Sequence, residues 1–110
     1  MDNADSPTPP SQPPAAKATD SAWRTLELGQ IVATSNAASQ LPSSAILISL
    51  GRHCSCDWGD VCEEDREANE FALINGERIV SVYHTGAGVK FWIITEWDRS
   101  ITTVLMPEDY

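Results

Sequence analysis

The C-terminal stretch Val89–Leu105 constrains the fold more than any other part of the sequence. It contains two runs of β-branched and aromatic residues, Phe91–Ile94 and Ile101–Leu105, on either side of the short polar bend Thr95–Ser100. Such residues pack well on a half-buried pleated surface, so this stretch is predicted to form two paired strands. We expect the upstream chain to pack on this hairpin.

Upstream of the hairpin, the hydrophobic pattern predicts two more strands. Thr25–Thr34 alternates in part and then becomes apolar, which is typical of a strand, and Arg78–His84 is a second strand-like run. Gly86–Gly88 is predicted to form the hairpin turn after it. A short helical turn is also expected over Ser35–Gln40.

Two longer helices are predicted between these strands. Pro42 and two serines precede the apolar run Ala45–His53, which favours a helix, although the same run also suits a strand. Asp60 is predicted to begin the clearest helix, because Asp60 and Glu63 have the spacing of a capping box. Asn75–Gly76 is expected to end it in the left-handed conformation. The residues expected to form its buried apolar stripe are Val61, Ala68, Phe71, Ala72 and Ile74.

These elements predict an α+β fold. The expected sheet is small and antiparallel, and consists of the three-stranded C-terminal meander plus an N-terminal strand. Two helices are expected to pack on one of its faces, because this arrangement buries the apolar side of each layer economically.

Residues 1–22 are predicted to be a disordered, proline-rich arm, followed by a single domain over residues 23–110. The arm holds five of the seven prolines and no large apolar residue after Met1, so it cannot bury enough surface to fold. It lacks the apolar core of a secretory signal and the arginines of a transit peptide. No apolar run approaches the roughly 20 residues of a membrane span, so we expect a cytoplasmic protein that does not contact a membrane.

Acidic residues are concentrated between Asp57 and Glu70. This stretch contains seven acidic residues and one basic residue, Arg66, in a chain of net charge −9. Such density repels the phosphate backbone of DNA and RNA, which argues against direct nucleic-acid binding. It suits a protein partner with a basic surface, and the alternative is a solvated face that keeps a small protein soluble.

Two tryptophans in polar surroundings mark the candidate interaction surface. Trp97 lies in the polar bend, and tryptophan and arginine are enriched at interface hot spots; the alternative is that Trp97 folds back onto the sheet edge. Trp58 either packs on the first turn of the Asp60 helix or joins Trp97 in one aromatic and acidic patch. The candidate interaction residues are Asp57, Trp58, Asp60, Glu63, Glu64, Glu67, Glu96, Trp97, Asp98 and Arg99.

One cluster of nitrogen and sulfur ligands is considered as a metal site. It comprises His53, Cys54, Cys56 and Cys62, but its C-x-C spacing is tighter than that of structural zinc pairs and no second pair follows. No metal or cofactor is therefore predicted. Three cysteines without a signal peptide indicate a reducing compartment.

Several segments between Leu26 and Tyr110 resemble those of known proteins. They are Leu28–Thr34, Arg52, His53, Asp57–Asp60, Glu64, Asp65, Asn69, Leu73, Trp92–Ser100, Thr102–Leu105 and Pro107–Tyr110. In these segments the sequence is similar to a family of small bacterial proteins encoded on plasmids and other mobile elements. These proteins are called plasmid-related, or sometimes "type I restriction endonuclease subunit M". Relatives usually have glycine at the position of Cys56.

The resemblance implies a functional context rather than a reaction. A methyltransferase needs a much larger nucleotide-binding domain, and the sequence has no glycine-rich loop to hold a cofactor. The restriction label therefore implies proximity to defence or anti-defence genes. The function expected is a non-enzymatic interaction protein of a mobile element that binds a basic restriction or CRISPR component. The alternatives are a small metal-dependent enzyme that uses His53 and the acids of Asp57–Asp65, and a regulatory homodimer joined through an exposed strand edge.

Overall fold

The computed structural model describes residues 24–110, so the predicted arm and Trp23 lie outside the described residues. The chain forms an α+β fold, as predicted. In chain order its elements are β1 (Gln30–Ala33), α1 (Ser35–Gln40), α2 (Ser43–Cys54), α3 (Glu63–Asn75), β2 (Ile79–His84), β3 (Lys90–Thr95), β4 (Ile101–Leu105) and a closing 3₁₀ turn (Pro107–Asp109).

The sheet has the strand order β1-β4-β3-β2. The C-terminal meander β2-β3-β4 is antiparallel, as expected, with Ile79 opposite Thr95 and Ile93 opposite Val104. The N-terminal strand joins at the far edge and runs parallel to β4, with Ile31 opposite Thr102. The four-stranded sheet is therefore mixed rather than wholly antiparallel.

One face of the sheet carries the core and the helices α1, α2 and α3. Side chains alternate along each strand, so one set of residues points to the helices. The main cluster joins Ala37 of α1 and Leu50 of α2 to Tyr83, Phe91 and Val104 of the sheet. A second cluster joins α3 to the start of β2 and the loop before α3; its buried residues are Leu26, Cys56, Trp58, Ala72 and Ile79.

The predicted start of α3 is wrong by three residues. The helix begins at Glu63, after Cys62 as N-cap, and has no side-chain cap. The Asp60 N–H instead donates to the carbonyl of Val82 (2.7 Å), because Gly59 forms a parallel bridge with that strand. Pairing with the sheet edge therefore replaces the capping box. The end is as predicted, since Gly76 is left-handed with φ 70°.

The first strand is shorter than the predicted Thr25–Thr34. Regular pairing begins only at Gln30, after Gly29 adopts a φ of 63°. A side chain at position 29 would place its Cβ only 2.4 Å from the carbonyl oxygens of Arg99 and Ser100. Glycine is therefore required where the chain passes the β3–β4 bend.

Candidate interaction surface

The outer face of α3 presents carboxylates to solvent. Glu63, Glu64 and Glu67 are exposed, and Glu63 pairs with Arg66 on the same helix, at 3.2 Å. Within residues 24–110, neither Glu64 nor Glu67 has a basic partner within 4 Å. The acids of the first turn also stabilise the helix, because negative charge interacts favourably with the positive N-terminal end of the helix dipole. They do so while remaining exposed to solvent.

The same outer face becomes apolar towards the helix C-terminus. Phe71 is 56% exposed and Ile74 is 82% exposed, although both were assigned to the buried stripe by periodicity. Glu67, Phe71 and Ile74 are spaced four and three residues apart, so they share one side of the helix. The opposite side is buried through Asn69 and Ala72. The exposed apolar side chains therefore lie next to the carboxylates on this side of α3.

The bend between β3 and β4 is fixed to the C-terminal end of α3 by Arg99. Its guanidinium donates from Nη2 to the carbonyl of Ala72 (2.9 Å) and from Nη1 to the carbonyls of Glu77 (2.6 Å) and Glu96 (3.2 Å). These carbonyls include one of the last turn of α3, so Arg99 caps that helix from outside. The bend and the apolar end of α3 therefore lie at the same end of the molecule.

Trp97 projects from this bend and is 66% exposed, so the alternative that it folds back onto the sheet is wrong. The turn beside it is closed by Asp98, whose carboxylate accepts from the Ser100 hydroxyl (2.7 Å) and N–H (3.1 Å). These bonds lower the pKa of Asp98. We call Glu63, Glu64, Glu67, Phe71, Ile74 and Trp97 the acidic–apolar surface.

Trp58 does not belong to this surface, so the predicted joint patch with Trp97 is wrong. Trp58 is only 2% exposed and lies in the second core cluster. Its indole N–H donates to Glu70 (2.9 Å), and Glu70 also receives two bonds from Arg24 (2.6 and 2.7 Å). The ring is buried because Gly59, with φ 76°, turns the next residues onto β2.

The remaining candidate residues are engaged within the fold. Asp57 pairs with Arg52 (2.8 Å), and this hydrogen bond is the main reason that the pKa of Asp57 is lowered. Asp60 pairs with His84 (2.7 Å). Glu96 pairs with Arg78 (3.2 Å). These carboxylates are less available to a partner than those of Glu64 and Glu67.

His53 is fully buried and both of its ring nitrogens are hydrogen-bonded. Nδ1 lies 2.6 Å from the Ser81 hydroxyl and Nε2 lies 2.8 Å from the Thr95 hydroxyl. Thr95 continues to Thr102 (2.7 Å), which donates to the backbone carbonyl of Leu28 (2.7 Å). Because that carbonyl only accepts, each hydroxyl must donate onward, so His53 carries its proton on Nε2 and Ser81 donates to Nδ1.

This environment removes His53 from the catalytic and metal-binding alternatives. Burial lowers the pKa of His53 to about 4, so the ring is neutral at pH 7. Neither nitrogen is available to a substrate or an ion. Of the acids expected to act with it, Asp57, Asp60 and Glu63 bond to three different side chains, and Glu64 and Asp65 are exposed on α3. Residues 24–110 contain no group of three or more His, Cys, Asp or Glu side chains that could hold a metal.

All three cysteines are free thiols in different surroundings. Cys54 is half-buried, Cys56 is buried and Cys62 is exposed. Cys56 has a φ of 66°, a left-handed conformation that favours glycine. The backbone therefore explains why glycine would suit this position, and burial raises the pKa of the Cys56 thiol.

No family model, curated protein or solved structure matches this chain. In the part of the chain that the structure describes, no helix has the length and apolar character needed to span a bilayer. The geometry of the surface is therefore the basis for a functional conclusion.

Proposed function

We propose that this protein is a non-enzymatic interaction protein whose acidic–apolar surface binds a basic protein. The observation that carries the proposal is that α3 exposes Glu64 and Glu67 without ion-pair partners in residues 24–110, beside exposed Phe71 and Ile74. Large apolar side chains next to unpaired charge are the pattern of a binding site rather than of a solvated face.

Charge and apolar area have separate roles in this binding. The carboxylates attract a basic surface and orient it, which raises the association rate. The aromatic and aliphatic side chains supply contact area that excludes water, and Trp97 is the natural anchor. A partner that handles nucleic acid fits best, because carboxylates along a helix can occupy a site built for phosphates.

The sequence resemblance supports a mobile-element context for this activity. In that context the partner is a component of restriction or CRISPR machinery, and the protein acts as its inhibitor or accessory factor. The three free thiols support a reducing, cytoplasmic setting. A metal-dependent enzyme is not favoured, because both His53 nitrogens are bonded within the core.

Charge reversal with a matched control tests the proposal. The Glu64→Lys/Glu67→Lys variant changes net charge by +4 on the surface, and Glu27→Lys/Glu108→Lys makes the same change at exposed acids elsewhere. The wild type and both variants are immobilised and used to capture proteins from bacterial lysate, and partners are identified by mass spectrometry and re-purified for titration.

We expect the α3 variant to weaken binding of the re-purified partner by about tenfold or more, and the control by less than about twofold. Binding of the wild type is expected to fall with added salt, since exposed charges are screened. Equal losses in both variants would show that only net charge matters, and would contradict a defined surface.

A further inference from the structure

The face of the sheet opposite the helices carries an aromatic pair. Trp92 points to this face, because its neighbour Phe91 belongs to the main core cluster on the other face. The Tyr110 ring lies edge-on to it, with ring centroids 5.3 Å apart, and the Tyr110 hydroxyl accepts from Arg78 (2.9 Å). Val82 lies opposite Trp92 on β2, and both are half-buried. We call Val82, Trp92 and Tyr110 the aromatic strip.

The aromatic strip lacks one hydrogen-bond acceptor. The indole N–H of Trp92 is shielded from solvent and has no hydrogen-bond partner among residues 24–110. The buried Trp58, in contrast, donates to Glu70 (2.9 Å). Since a buried donor without a partner costs free energy, a ligand that supplies both apolar contact and a carbonyl oxygen would complete this site.

A proline-rich segment has this chemistry. Each proline ring offers apolar surface and removes one backbone N–H, and the extended polyproline II conformation leaves every carbonyl free of internal bonds. Domains that bind P-x-x-P segments line their grooves with aromatic side chains. The chain itself contains such a segment, Pro7-Thr8-Pro9-Pro10, outside the described residues.

Charge sets the register of this segment on the strip. Lys90 is exposed two positions before Trp92 on the same face, and within residues 24–110 it has no acidic partner within 4 Å. Asp5 lies two positions before Pro7. Two residues span about 6–7 Å in a strand and in polyproline II alike, so Asp5 meets Lys90 when Pro7 lies on Trp92.

The chain between this segment and the described residues is long enough. Pro10 lies 14 positions before Arg24, and Arg24 is bonded to Glu70 of α3 on the helix side of the sheet. An extended chain of that length reaches at most about 46 Å. The path from the helix layer to the opposite face of the sheet is roughly 20 Å.

We propose that residues 5–10 of this chain dock on the aromatic strip in the polyproline II conformation. Pro7 packs on the Trp92 ring, a carbonyl of the segment accepts from the indole N–H, and Asp5 pairs with Lys90. The exposed Tyr110 ring turns aside to admit that carbonyl. The segment is too apolar-poor to fold alone, but the strip supplies the surface that it lacks.

Nuclear magnetic resonance of the ¹³C,¹⁵N-labelled full chain tests the docking. We expect nuclear Overhauser contacts between the Trp92 indole proton and the Pro7 ring, with slow exchange of that proton. Pro7→Ala/Pro10→Ala should lower the docking equilibrium constant, measured from the Trp92 indole shift, about tenfold or more. The control Pro13→Ala/Pro14→Ala should change it by less than about twofold. None of these prolines lies in the core that the structure describes.

Charge exchange tests the register separately. Asp5→Lys should reduce docking about threefold or more, and Asp5→Lys/Lys90→Asp should restore it. Three outcomes would overturn the proposal: a Trp92 indole proton that contacts only Tyr110, equal losses in the two proline variants, or Pro7 contacts that arise only between labelled and unlabelled copies. None of these measurements needs a partner protein, so failure here is distinct from failure of the proposed function.

Discussion

Trp58 and Trp97 have similar neighbours in the sequence but lie in different environments, one buried and one exposed. Each follows an acidic residue, and each has an aspartate within two positions, so the sequence allows one shared surface patch as well as the packing of Trp58 on the helix. Trp58 is instead core, because Gly59 can approach β2 where any side chain would meet the Val82 carbonyl at 2.0 Å. That contact joins residues far apart in sequence, and no local pattern reveals it.

Alanine substitution should separate the two tryptophans. Trp58→Ala should lower the free energy of unfolding by about 3–5 kcal/mol, because it leaves a cavity and removes the hydrogen bond that the indole N–H donates to Glu70. Trp97→Ala should change it by less than about 0.5 kcal/mol and yet weaken partner binding. Urea unfolding measures the first effect and titration with the re-purified partner the second. A large stability loss in Trp97→Ala would contradict an exposed, functional indole.

His53 makes stability depend on pH. Its pKa in the folded protein is about 4, below the ordinary value of 6.5, so the unfolded chain binds the proton more readily. The stabilisation is complete above pH 6.5 and is lost as the pH falls towards 4. We expect the free energy of unfolding to drop by about 2 kcal/mol between pH 7 and pH 5.

Urea titrations of the wild type and two histidine variants check this dependence. His53→Gln should remove most of the drop between pH 7 and pH 5, at a cost in stability at pH 7. His84→Gln, at an exposed histidine paired with Asp60, should retain the drop. A wild type with equal stability at both pH values would show that His53 titrates normally.

At the scale of elements, the sequence predicts that α3 is a helix and where it ends. It does not predict where α3 begins or which of its sides is buried. The glycine after Asn75 ends it by a local mechanism, so the sequence sufficed there. The start depends on the Gly59 bridge to β2, and the buried side depends on Asn69 binding the edge of that strand. Periodicity therefore placed Phe71 and Ile74 inside, although they face solvent. The polar Asn69, in phase with Ala72 and Leu73, is the signal that could have indicated the true buried side.

We expect the hydrogen bonds of Arg99 to hold the β3–β4 bend against the C-terminal end of α3. Arg99→Met removes the bonds to Ala72, Glu77 and Glu96, and should lower the free energy of unfolding by about 1–3 kcal/mol. Arg66→Met, which removes an exposed pair with Glu63, should cost less than about 0.5 kcal/mol. Thermal and urea unfolding of both variants check the difference. Equal, small effects would show that Arg99 does not hold the bend.

At the scale of the molecule, the fold class and the meander followed from the spacing of apolar runs. The position of β1 at the far edge, parallel to β4, did not follow from the sequence, because a local pattern does not indicate which strands are neighbours in the sheet. Exposed acids also lie at more than one place on the molecule: those of α3 lie on the helix that packs beside β2, and Asp109 accepts a hydrogen bond from Thr34 at the end of β1.

The central claim, that the acidic–apolar surface binds a basic protein, is tested most directly by mapping amide and indole chemical shifts of the ¹⁵N-labelled protein during titration with the captured partner. We expect shifts to concentrate on Glu63–Ile74 and on the Trp97 indole, with the Trp58 indole unchanged. Shifts confined to the α2 side or to the helix-free face of the sheet, with Trp97 unaffected, would contradict the account.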